Sequence, residues 1–108
     1  MAYEVIISDP AFADLDNAVG YIAATLGAPR AAASLVDDFE STIRLLAEDP
    51  LLFGVDFFVS EAIEMQVRRC PVKRYGAYYI VDETARKVFV VAFVHTLRSV
   101  SEIISVRM

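Results

Sequence analysis

The sequence predicts an α+β fold. An N-terminal strand leads into an antiparallel helical hairpin packed on a mostly antiparallel sheet, in the order β-α-α-β-β-β. Three observations carry this expectation. Two long segments repeat apolar residues at helical spacing. Only Gly27-Ala28 separates them, so they must fold back on each other. Three runs of β-branched and aromatic residues then follow, parted by short turn signals. At 108 residues the chain is expected to form a single domain, residues 1–108, around one core.

"AYEVII" is rich in strand formers and "SDP" ends it, so residues 2–7 read as the first strand. Asp9 is placed to cap a helix, with Pro10 at its first position, where a missing N–H costs nothing. Phe12, Leu15, Val19, Ile22 and Leu26 form the apolar stripe of that helix over residues 10–26. Gly27 suits the left-handed position beyond it, and Pro29 opens the second helix. Ala32, Leu35, Val36, Phe39, Ile43 and Leu46 make the second stripe, which "EDP" stops near residue 48. The hairpin is expected to pack through Phe12, Leu15, Val19, Ile22, Leu35, Phe39, Ile43 and Leu46. Residues 51–64 are apolar without period and read as a loop with a turn of helix. Strand-like runs follow at about 64–72, 75–82 and 87–95, the last two joined by "DETARK". "KVFVVAFVH" is apolar on both faces, as a central strand covered on each side would be. "SVSEIISV" reads as either a short terminal helix or an added strand.

Composition narrows the chemistry. The single cysteine, Cys70, has no partner for an internal disulfide, which fits a reducing cytoplasm. No zinc spacing, phosphate loop or Gly-rich dinucleotide turn is present, so neither metal nor cofactor is expected. The apolar runs are too short to span a bilayer, and "MAYEVIISDP" lacks an export signal. The formal charge is −5, and it is divided along the chain. Residues 1–66 carry 12 acidic and 2 basic side chains (−10); residues 67–108 carry 3 and 8 (+5). Such asymmetry suggests two faces with different partners. Neutralisation between a helical layer and a sheet is the plainer alternative.

The candidate site residues lie in the basic half. Arg68 and Arg69 alternate and so point to opposite faces of their strand. Lys73, Arg74 and Tyr75 form the turn into the next strand, on which Tyr75 and Tyr79 share a face and Tyr78 takes the other. His95 ends the last strand, and plain alternation puts it on the side of Phe89, Val91 and Phe93. Arg98 follows three residues later. Basic groups beside an aromatic suit a phosphate backbone or an acidic protein, although such domains are usually basic overall. The paired carboxylates Asp14/Asp16 and Asp37/Asp38 are expected on solvated outer helix faces.

These residues carry a resemblance. "YEVIISDPAFADLDNAVGYIAATLGAPRAAASLVDDFESTIRLLAEDP" resembles the opening strand and helical hairpin of the RelE/ParE superfamily of bacterial type II toxin–antitoxin toxins, particularly its ParE-like branch. "VRRCPVKRYGAYYIVDETARKVFVVAFVHTLR" resembles that family's arginine strand, tyrosine strand and last strand ending in His or Tyr. The resemblance covers nearly the whole chain. It implies a plasmid-stabilisation toxin neutralised by a cognate antitoxin, acting on DNA gyrase by protein contact through Arg68, Arg69, Lys73, Arg74, Tyr75, His95 and Arg98, with a homodimer as a further option. The alternative is a RelE-like, ribosome-dependent mRNA interferase, in which His95, Arg98 and Arg69 would be catalytic. A second alternative is a non-toxic homologue serving as a protein-binding module. The chain departs from the family pattern at Ala92, Phe93 and Leu97, where arginine is frequent. The long hairpin and acidic charge favour the ParE-like branch.

Overall fold

The computed structural model describes residues 2–96 and 98–108; of the departures from the family pattern, Leu97 lies outside them. Strand β1 (Glu4–Ile7) leads to α1 (Asp9–Gly20), which continues as a π-helical turn (Tyr21–Thr25). Helix α2 (Pro29–Glu48) returns antiparallel, and a short α3 (Phe57–Ile63) precedes β2 (Arg68–Val72), β3 (Tyr75–Asp82) and β4 (Lys87–His95). Helix α4 (Val100–Arg107) completes the described residues. The sheet order is β1-β4-β3-β2, antiparallel except for the parallel pairing of β1 with β4. The α+β expectation is met, and the terminal segment is a helix.

Local chemistry explains the boundaries. Ser8, not Asp9, caps α1: its hydroxyl accepts from the Ala11 N–H at 3.2 Å, which leaves Asp9 in the first turn beside the positive helix end. Gly27 takes the left-handed conformation expected of it (φ 61°). Residues 57–63 form a true helix because Asp56 accepts from the Val59 N–H at 3.0 Å.

The helices cover both faces of the sheet. On one side α1 and α2 enclose Leu35, Phe39, Leu46, Cys70, Val72, Ala77, Tyr79, Val88, Val90 and Phe93. On the other, Val59 of α3 and Ile104 of α4 pack on Val67, Tyr78, Ala92 and Val94. The expected hairpin contacts hold for Leu15, Val19, Ile22, Leu35, Phe39, Ile43 and Leu46, but not for Phe12, and Leu26 of the first stripe also lies outside the core. Phe12 is 47% and Leu26 58% exposed. Helix α1 instead turns Ala11, Leu15 and Ala18 inward, and the two alanines let it lie close to the sheet.

A β-bulge overturns the predicted facing of β4. Tyr78 pairs with Ala92 but Tyr79 pairs with Val90, so Val91 is an extra residue on β4. Phe93 therefore joins Val88 and Val90 on the hairpin side, and His95 points the same way, against Tyr75. Val91 falls on the α3–α4 side. On β3 the alternation is regular, with Tyr75 and Tyr79 on one face and Tyr78 on the other, as expected.

Tyr79 is fully buried, and its hydroxyl donates to the Pro50 carbonyl at 2.8 Å. Burial, with a smaller push from Cys70, raises its pKa to about 12. A phenol free in the unfolded chain titrates near 10. The neutral form is thus favoured on folding: its contribution is complete below pH 10 and is lost as pH rises through about 12. Tyr79→Phe is expected to cost about 1 kcal/mol at neutral pH, from the lost hydrogen bond. It should also flatten the fall in stability between pH 10 and 12, read by denaturant melts across that range. An unchanged alkaline slope would assign the fall to other groups.

Candidate functional site

The end of the sheet where β3 starts and β4 finishes is built as a row of rings. Phe39 of α2 meets Phe93 edge-on at 5.2 Å between centroids, and Phe93 stacks on Tyr75 at 4.8 Å and 8°. Tyr75 in turn meets the His95 imidazole edge-on at 5.2 Å. The register makes this possible, because Tyr75 is the direct cross-strand neighbour of His95. His95 is thereby held half-buried at the rim, anchored through three aromatic contacts to the hairpin core. The Thr96 N–H donates to the Arg74 carbonyl at 2.9 Å and the Arg98 N–H to the His95 carbonyl at 3.0 Å. Those bonds hold the turn that carries Arg98 beside the β2–β3 turn.

A cleft of about 440 Å³ opens here, with Tyr75, His95 and Arg98 on its walls together with Asn17, Tyr21 and Ile103. The expected solvation of Asp14 is incorrect. Its carboxylate forms a fork with Arg107, accepting from Nη1 at 2.7 Å and Nη2 at 2.8 Å, and also accepts from the Phe93 N–H at 3.0 Å. Arg107 Nη1 further donates to the Val91 carbonyl at 2.9 Å, so one guanidinium joins α4, α1 and the bulge of β4. The carboxylate raises the pKa of the Arg107 guanidinium, chiefly by hydrogen bonding. About a fifth of either side chain is exposed. Asp16 and Asp37 are exposed as expected.

The remaining basic residues are dispersed. Arg68 faces the hairpin layer and donates to the Phe53 carbonyl at 2.6 Å, fixing the segment after α2. Arg69 lies on the opposite face, over Gly76, and donates to the Tyr78 hydroxyl at 3.2 Å. A Cβ at residue 76 would come within 2.6 Å of Arg69 Nε, so glycine makes room for this crossing. Neither arginine lines the His95 cleft, because Arg68 is held by the segment after α2 and Arg69 by Tyr78 on the opposite face. Lys73 sits in the tight turn with φ 54° and pairs with Asp38 at 3.0 Å. Arg74 is exposed. Both line a second cleft on the far side of Tyr75. Sequence reasoning missed Asp14, Tyr21 and Arg107, and only the helix boundary at Gly27 hinted that Tyr21 lies near the end of the hairpin. Burial pushes the Cys70 thiol pKa up, the mark of a structural cysteine. Among the described residues no cluster of His, Cys, Asp or Glu could hold a metal, and no helix is long and apolar enough to cross a membrane.

A family model for the ParE toxin of type II toxin–antitoxin systems, parDE, matches residues 5–100. The chain belongs to the ParE toxin family. Among solved structures, this ParE-family chain is similar to a chain of the RelBE2 toxin–antitoxin complex from Mycobacterium tuberculosis. The identity is 18%, with 88% of this chain and 99% of that one covered, and the TM-score is 0.51. At that identity the likeness speaks for the fold alone. No curated protein matches this chain.

Proposed function

We propose that this chain is a cytoplasmic toxin that inhibits DNA gyrase by protein contact and is neutralised by a cognate antitoxin. Membership of the ParE family carries the proposal. The fate of the cations supports protein contact over RNA cleavage. Arg68, Arg69, Lys73 and Arg107 are each held by a partner within the chain, so few remain to follow a phosphate backbone. Exposed apolar side chains, among them Phe12, Leu26, Phe57 and Phe58, offer surface for an antitoxin segment that folds on binding.

The purified protein should block supercoiling by gyrase in proportion to its concentration. Co-expression with the adjacent reading frame should yield a co-purifying complex with a raised melting temperature and relieve the block. The ribonuclease reading draws on the convergence of Tyr75, His95 and Arg98 on one cleft. Under it, primer extension on mRNA from induced cells would show defined cleavage, reduced about 10²–10⁴-fold by His95→Ala. Such cleavage with intact supercoiling would overturn the gyrase proposal.

A further inference from the structure

Tyr75 lines two clefts at once. One is the His95 cleft; the other, about 400 Å³, lies between α2 and the β2–β3 turn, with Ile22, Ala31 and Leu35 as apolar walls and Arg74 at its edge. Together they form a groove across the end of the sheet, with Tyr75 as a ridge in its floor. Its charges do not cancel. Asp14 is neutralised by Arg107, and Lys73 by Asp38. Arg74 and Arg98 are both exposed, and their side chains form no hydrogen bond or ion pair among the described residues. Two unpaired cations thus flank the ridge in a chain of net charge −5.

We infer that this groove seats an extended acidic segment of the target protein. One carboxylate lies at each of Arg74 and Arg98, and an apolar side chain between them enters the compartment of Ile22, Ala31 and Leu35. The inference rests on the gyrase reading and specifies which chemistry of the target is recognised. Charge complementarity selects a protein rather than a nucleic acid. A phosphate backbone gains affinity through many cations, while two would release about two counterions, and the acidic remainder of the chain would repel the rest of the strand. A protein segment needs only its own two carboxylates matched, and guanidinium forks suit them.

The test immobilises the chain and measures binding of purified gyrase holoenzyme, and separately of a 20-nucleotide single-stranded RNA, as salt is raised. Gyrase binding should weaken as salt is raised, as expected of exposed charge pairs. The pair Arg74→Glu with Arg98→Glu should weaken it about 100-fold or more, and Arg74→Gln with Arg98→Gln about 10-fold. The control pair Arg30→Glu with Arg44→Glu, outside the groove, should stay within about 2-fold. Melting temperatures confirm that each variant is folded. Equal gyrase binding by wild type and both groove variants would overturn the groove assignment and leave the gyrase reading standing. Absence of gyrase binding by the wild type would overturn both. Tighter binding of the RNA than of gyrase, lost in the same variants, would replace the acidic protein segment by a nucleic acid.

Discussion

Replacing Phe39 with alanine is expected to destabilise the protein by about 3–5 kcal/mol, as for a buried aromatic in a well-packed core. Phe39 is 3% exposed on the sheet-facing side of α2, with its edge against the Phe93 ring. Removing it opens a cavity between two rigid layers, and the β-sheet floor has no freedom to fill it. In a domain of about this size each kcal/mol shifts the melting temperature by about 4–8 °C, so the loss should be plain in a thermal scan. The damage should also reach the cleft, because Phe93 supports Tyr75, which supports His95. Weaker target binding is expected even below the melting transition. A shift of less than about 5 °C would show that the hairpin does not seat on the sheet through this ring.

Arg107→Ala is expected to cost about 2–3 kcal/mol. Breaking a buried ion pair on one side typically costs about 3–5 kcal/mol, and the partial exposure of this pair reduces that. The change strands a carboxylate. Asp14 keeps the Phe93 N–H but loses both guanidinium bonds, and the Val91 carbonyl loses a donor. Part of the loss is therefore recoverable. Arg107→Met combined with Asp14→Asn should be more stable than Arg107→Met alone, since asparagine can still accept from Phe93 without a charge to desolvate. Additive losses in that double-mutant cycle would mean the two side chains act independently and the fork is incidental.

The parts of the fold that the sequence made legible are those where local pattern and tertiary packing agree. Helix α2 shows its buried face as a regular stripe from Ala32 to Leu46, and β3 displays its alternation without interruption. Helix α3 was obscured because seven residues cover too few turns to establish a period, and the Asp56 cap alone marks its start. The inward face of α1 was misjudged because size competes with hydrophobicity. Ala11 and Ala18 are not part of the predicted stripe, yet a helix lying close to a sheet presents its small residues. At the site, Tyr75, His95 and Arg98 could be named from their positions at strand ends and turns. Asp14 and Arg107 lie 93 residues apart in sequence, and no local pattern relates them. Their pairing follows only from where α4 docks.

The extra residue at Val91 has a bearing on how this chain is aligned with others. Counting backwards from His95 by twos crosses the bulge, so Phe93 shares its face and Val91 does not. A relative without the bulge would reach that face at every second position without interruption. Matching the two without a gap would therefore equate side chains that point to opposite sides of the sheet. An arginine two residues before the terminal His or Tyr of a relative corresponds to Phe93 in either phase, but residues further upstream slip by one. Deleting Val91 would remove the bulge and restore plain alternation, with Val88, Val90, Phe93 and His95 all kept on the hairpin side.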